Sequence, residues 1–261
     1  MDRIGVFLSD WQVLFREGIH FTLSGEEDFE VIGETTNNED ALKAIESNPP
    51  DVAVLNTNHE KLDGFRVAAY LKRNFPSVAT VLIMDNDDDE QLFQAIKSGA
   101  SACVTKEIEP ADLIDTIRAA AQGKQPISDA LLRPEIASRV LDEFEEFTVI
   151  GEQMGNIMAQ LTPGETEILH HLANGAPLDQ IYQALSIGEE GISRTFKTIL
   201  SKLVANEQSR QIIAAIPTGL PMSVRAHLAG QSSEDYVTRE EFSAFKDSIR
   251  ERLKAAMDEA D

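Results

Sequence analysis

The chain has 261 residues, 42% of them hydrophobic, with 45 acidic and 23 basic side chains and a formal net charge of −22. That length allows two modest domains, and no apolar run reaches the roughly 20 residues that a membrane helix needs. The single cysteine, Cys103, excludes an internal disulfide and a cysteine-built zinc site within one chain, and it fits a reducing cytoplasm.

So acidic a chain is a poor general partner for nucleic acid. The charge is unevenly spread, however. Residues 1–147 carry 29 acids and 13 bases, residues 148–225 carry 7 and 5, and residues 226–261 carry 9 and 5. The nearly neutral middle segment is where contact with DNA is least opposed.

The segment Met1-Asp-Arg-Ile-Gly-Val-Phe-Leu8 has a short apolar stretch and no cleavage site, so it reads as a first strand and not as a signal peptide. Short apolar runs follow at Phe29–Gly33, Val52–Leu55, Thr80–Met84 and Ala102–Thr105, after the first at Ile4–Leu8. Such runs suit buried parallel strands. Between them lie amphipathic stretches over Val13–Leu23, Glu39–Ser47, Phe65–Asn74, Asp89–Ser98 and Pro110–Gln122. In the first of these, Leu14, Gly18 and Phe21 supply apolar positions at helical spacing. Gly99-Ala100 ends the fourth helix, and Pro110 fits the first turn of the fifth. Five strand–helix units predict a doubly wound α/β domain over residues 1–122.

Residues 123–155 hold Gly123, Pro126, Pro134 and an acidic patch, Asp142-Glu-Phe-Glu-Glu146, and read as a linker with one helical piece. Residues 156–216 read as all-helical. Thr162, Pro163 and Glu165 make a helix start, and Gly175 a stop. Ile181 and Leu185 form the next apolar face. Gly188-Glu-Glu is a turn before a third face of Ile192, Phe196, Ile199, Leu200 and Leu203. Residues 217–261 form a tail that ends in one amphipathic helix. Thr238 and Glu241 have capping-box spacing, and Phe242, Phe245, Ile249, Leu253 and Ala256 make its stripe.

The first domain resembles a response-regulator receiver domain, with a flavodoxin-like five-stranded parallel sheet. Leu14-Phe-Arg-Glu-Gly18, Ile32-Gly-Glu, Gly99-Ala100 and Val104-Thr-Lys106 stand in the family's order and spacing over about half the chain. A working receiver has acidic residues after the first strand to hold Mg²⁺, a phosphoacceptor aspartate after the third, a hydroxyl after the fourth and a lysine after the fifth. Mg²⁺ requires hard oxygen ligands, and it neutralises the charge that develops in transfer.

Here Asp10 is kept and its acidic neighbour is Trp11. Asn56 stands at the nucleophile position, Asp85 at the hydroxyl position and Cys103 where a switch aromatic is usual. Lys106 matches the family lysine. A carboxylate can become an acyl phosphate, and a neutral carboxamide cannot. The resemblance therefore implies a pseudo-receiver, with Asp10, Trp11, Asn56, Asp85 and Lys106 as a degenerate pocket.

Residues 161–203 resemble the four-helix DNA-binding domain of LuxR/FixJ-type regulators. That likeness makes residues 189–203 the recognition helix, offering Ser193, Arg194, Lys197 and Lys202 to bases and phosphates. Gly191, Glu189 and Glu190 depart from a good DNA-facing helix start. No nucleophile–base pair or glycine-rich phosphate loop stands out, so no enzyme activity is expected. His170 and His171 are adjacent and point about 100° apart, so they make no two-histidine metal face. No metal and no cofactor is assigned.

The expected function is a cytoplasmic, DNA-binding transcription regulator that works without phosphorylation. It would act as a homodimer on promoter DNA, with dimer or partner contacts through the receiver's fourth and fifth helices or the tail. The alternative is an interaction or scaffold protein built on a degenerate response regulator.

Overall fold

The computed structural model describes residues 3–58, 62–154 and 158–215. The tail and its amphipathic stripe therefore lie outside the described residues. The α/β half runs β1 Ile4–Ser9, α1 Val13–Ser24, β2 Phe29–Thr35, α2 Asn38–Ser47, β3 Val52–Asn56, α3 Gly64–Asn74, β4 Ala79–Met84, α4 Asp89–Ser98, β5 Ala102–Thr105 and α5 Pro110–Ala121. Each expected strand and helix is present to within a residue or two at its ends. All strands pair in parallel, in the order β2-β1-β3-β4-β5. β3 is buried along its whole length, which is why its sequence is continuously apolar up to Asn56.

Two core faces sandwich the sheet. Ile19 and Leu23 of α1 and Leu113, Ile117 and Ala120 of α5 pack on one face with Val6, Leu8, Val54 and Ile83. Helices α2, α3 and α4 cover the other. For α1 the spacing misleads. Among the described residues Leu14 and Phe21 are the most exposed large apolar side chains, while Arg16, Ile19 and Leu23 turn inward.

Past α5, the described residues form a 3₁₀ turn, Pro126–Leu132, and four helices: α6 Pro134–Met154, α7 Pro163–Ala173, α8 Leu178–Leu185 and α9 Glu189–Ala215. The segment read as a linker is no spacer. Ile127, Leu131, Ile136, Val140, Phe144 and Phe147 are buried, and they join one continuous core that runs from Leu82 and Phe93 to Leu169, Phe196 and Leu203. Helix α9 also runs on past the expected end at residue 203. After Leu203 come Val204-Ala-Asn-Glu207, with no glycine or proline to end a helix. The expected recognition helix and the residues beyond it are therefore one 27-residue rod.

Asn206 fixes that rod. It is 1% exposed, donates from Nδ2 to the Ala159 carbonyl at 2.9 Å and accepts from the Ala159 N–H at 2.7 Å. The far half of α9 lies against α4. A Cβ added at Gly99, which caps α4 at φ +78°, would come within 3.3 Å of Val204. Helix α4 thus packs against α6 and α9 of its own chain, and that side of it is not free for a second copy.

Candidate functional site

The strand order reverses between β1 and β3, and in open α/β sheets the crevice at that point, beyond the carboxyl ends of the strands, is where ligands bind. Asp10 follows β1 there, Asn56 ends β3, Asp85 follows β4 and Lys106 follows β5. The structure brings these four together, and hydrogen bonds close the crevice. Asn56 Nδ2 donates to Asp10 Oδ2 at 2.7 Å, and the Gln12 N–H donates to Asp10 Oδ1 at 2.7 Å. The other side of the amide, Asn56 Oδ1, accepts from the Asn58 N–H at 2.7 Å. Asp10 and Asn56 are 3% and 2% exposed. Both oxygens of the Asp10 carboxylate are therefore engaged by N–H donors.

Lys106 Nζ forms a short ion pair with Asp85, and Asn58 Nδ2 donates to the same carboxylate at 3.1 Å. The Lys106 hydrogen bond, helped by Asn58, holds the Asp85 carboxyl below the usual aspartate range. The Lys106 ammonium also lies 5.7 Å from the Trp11 ring and 5.6 Å from the Phe15 ring. Trp11 is half exposed. Burial pushes the Cys103 thiol up to about 12, with Asp87 adding to it, which disfavours the thiolate at neutral pH.

Several supporting residues carried no signal in the sequence. Asn38, 1% exposed, donates to the Asn56 carbonyl at 3.1 Å and to Leu62 O at 2.9 Å, and accepts from Ser9 Oγ. Gly64 sits so close to β3 that a Cβ would fall 2.5 Å from the Asn56 carbonyl oxygen. Arg16 Nη1 donates to the Asp10 carbonyl at 2.9 Å while its Nε bonds Glu34. The acidic run Asp85–Glu90 leads into α4, with Asp88 as its N-cap, and is partly neutralised. Arg133 bonds Asp87 and Asp89, and Arg139 bonds Glu90.

The second candidate surface lies on α9. Helix α8 ends at Ser186, whose φ of +52° makes it the one described non-glycine residue with a left-handed backbone. Three residues, Ser186–Gly188, then turn the chain into α9, the short connection of a helix-turn-helix. Ile192, Phe196, Ile199 and Leu203 face the core, as expected from their spacing. Ser193 and Arg194 are exposed and Lys197 is half-buried, at positions three and four apart that share an outer face. Arg194 Nε rests on the Glu190 carbonyl at 3.2 Å.

Lys202 is placed differently. Its Nζ lies 2.7 Å from Glu165 Oε2, 3.0 Å from Oε1 and 3.0 Å from the Gln160 carbonyl. Glu165 is also the return arm of the Thr162 capping box, accepting from the Thr162 N–H at 2.7 Å. One carboxylate thus starts α7 and anchors α9, and Lys202 is committed to it.

That pair has a measurable consequence. Burial works to raise the Glu165 pKa, but Lys202 and the Thr162 N–H outweigh it, so the carboxyl lies below its ordinary value. A depressed folded pKa adds stability that is complete above the unfolded value of about 4.3 and declines as pH falls through the folded value. Lys202→Met is expected to lower stability by roughly 1–3 kcal/mol at neutral pH and to flatten the acid limb. Urea unfolding at a series of acidic pH values measures both. An unchanged acid limb would exclude the pair as its source.

Residues 6–118 match the family model of the response regulator receiver domain. The chain is 26% identical over 229 residues to the transcriptional regulatory protein DegU of Brevibacillus brevis, covering 84% of this chain and 95% of that one. It is 29% identical over 198 residues to the nitrate/nitrite response regulator protein NarL of Escherichia coli K12, covering 76% and 88%. Among solved structures, RcsB of Salmonella enterica serovar Typhimurium bound to promoter P1flhDC aligns at 22% identity with a TM-score of 0.46, covering 77% of this chain and 93% of that one.

Proposed function

We propose that this chain is a DNA-binding transcription regulator that works without aspartate phosphorylation. The observation that carries the reading is the Asn56–Asp10 pair. The group at the phosphoacceptor position is a carboxamide, its N–H is donated to the remaining acid, and Lys106 is taken by Asp85. The regulatory half of the proposal draws on the relatives, a transcriptional regulatory protein matched over 95% of its length and a response regulator protein matched over 88%. It also draws on the exposed Ser193 and Arg194 at the start of a helix that follows a tight turn. In such a module the helix enters the major groove, and a dimer sets two helices one turn of DNA apart. Arg194 is the candidate base reader and Lys197 a phosphate contact. The receiver-like domain would serve dimerisation or partner binding.

The −22 charge favours a second reading, an interaction protein with no DNA role. One experiment separates the two. Genomic fragments are selected with the full-length protein and sequenced, and affinity for an enriched site is then measured across salt for the natural protein and Arg194→Ala. The regulator reading expects an enriched two-fold-related site, affinity that falls steeply with salt, and a loss of about 1–3 kcal/mol for Arg194→Ala. No enrichment supports the interaction protein. Enrichment with unchanged Arg194→Ala affinity removes Arg194 from the contact.

A further inference from the structure

The outer face of α1 holds large apolar side chains in water. Leu14 is 89% exposed and Phe21 81% exposed, and Trp11 and Val13 are each about half exposed. Leu14, Gly18 and Phe21 share this face by their spacing. Nothing lies within 4 Å of where a Cβ on Gly18 would sit, so the track between Leu14 and Phe21 is open. A contiguous exposed apolar patch on a domain surface marks an interaction site. Acids border it: Glu17 on α1 itself, 3.7 Å from Arg16, and Asp112 and Asp115 exposed on the neighbouring α5, with Asp115 paired to Arg118 at 2.9 Å.

The sequence holds a second apolar stripe at helical spacing, Phe242, Phe245, Ile249 and Leu253, outside the described residues. At helical spacing Lys246, Arg250 and Arg252 flank it, with Glu241 the one acid on its border and Glu240, Asp247 and Glu251 on the far side. The 22 residues 216–237 separate this stripe from the end of α9. Extended, they span up to roughly 70 Å, about twice the width of a domain of this size. Reach does not limit the segment, and tethering keeps it at high local concentration.

We propose that residues 238–256 dock as a helix on the outer face of α1 of the same chain. Their apolar stripe meets Leu14 and Phe21, and their basic side chains meet Glu17, Asp112 and Asp115. This docking is independent of the DNA-binding reading.

Trp11 is the chain's only tryptophan and borders the track, so its fluorescence reports the cover. Full-length Phe242→Ser/Phe245→Ser/Ile249→Ser is expected to show a red-shifted Trp11 emission and stronger acrylamide quenching than the natural protein. It should also show several-fold faster trypsin cleavage at Arg250 and Arg252. Full-length Leu14→Glu/Phe21→Glu should show the same gain in cleavage, from the other side of the contact. In full-length Phe21→Cys/Phe245→Cys, a short bismaleimide should join the two thiols within one chain, at monomer mass. Unchanged emission and cleavage in both variants would overturn the proposal. Cross-links found only between two chains would overturn it too, and would assign the α1 face to a second copy.

Discussion

Asn56→Asp is expected to destabilise the protein by about 1–4 kcal/mol at neutral pH, where a response regulator with its metal site intact would tolerate aspartate. The substitution changes almost no volume. It replaces the N–H that Asn56 donates to Asp10 at 2.7 Å with a second carboxylate oxygen, in a place where both residues are almost fully buried. Two carboxylates so close cannot both ionise, so the pair holds a proton and its pKa is raised. Each unit of that rise is about 1.4 kcal/mol. The sign comes from linkage. A folded pKa above the unfolded value of about 3.9 means that the penalty is absent in acid and grows as pH rises through the folded value. Mg²⁺ should recover part of the loss by neutralising the two oxygens.

Unfolding of the natural protein and the variant, from acid to neutral pH and with or without Mg²⁺, measures all three effects. A neutral or stabilising substitution would show that the crevice is wetter than its burial indicates. The same proteins, incubated with a small phosphodonor and weighed, test the chemistry. The natural protein is expected to gain no phosphoryl adduct. Asn56→Asp alone gains none either, because Asp85 still occupies Lys106 and adds negative charge where transfer needs it neutralised. Trp11→Asp/Asn56→Asp/Asp85→Thr should gain one. A stoichiometric adduct on the natural protein would end the phosphorylation-independent reading.

The second large effect lies between the two halves of the chain. Lys97 of α4, Glu143 of α6 and Glu207 and Arg210 of α9 form one ion cluster, with side chains between 9% and 22% exposed. Lys97 Nζ is 3.0 Å from Glu143 and 3.3 Å from Glu207, and Arg210 meets the same two acids at 2.9 and 2.6 Å. The cluster is balanced, two cations against two anions. Lys97→Met removes one cation and leaves two poorly hydrated carboxylates sharing Arg210. Breaking such a pair on one side costs about 2–4 kcal/mol.

Lys97→Met/Glu143→Leu restores the balance and should be less destabilised than Lys97→Met alone, since matched removal of buried charges is often close to neutral. Denaturant unfolding of the double variant and of Lys97→Met and Glu143→Leu alone decides this. A double variant that loses the sum of both single losses would mean that the four groups act separately. The core beneath them runs unbroken from β4 and α4 to α9, so both halves should also melt in one transition.

Much of this was legible in the sequence, for identifiable reasons. The inner strands of the sheet are largely buried, β3 along its whole length, and each strand is a short, largely apolar run that could be placed from hydropathy alone. The residues that meet at the carboxyl ends of the strands could be placed as well, because they end or follow those strands, where spacing fixes position. Asn56, Asp85 and Lys106 are such cases. The turn before α9 and its inward face of Ile192, Phe196, Ile199 and Leu203 could be read from helical period in the same way.

The features that stayed hidden depend on contacts between residues far apart in the chain. Leu14 and Phe21 have a periodicity that fits either side of α1, and only the packing of Ile19 and Leu23 against the sheet shows which side is inward. Lys202 has the exposed-looking position of a DNA contact, yet Glu165, 37 residues earlier, holds it. Residues 123–155 carry the glycine, prolines and acids of a linker, but their apolar side chains close the core between the halves. Local sequence fixes backbone preference and which residues share a face. The partner that a face or a charge finds is set by the fold, because the energy of burial and of ion pairing depends on what lies across the gap.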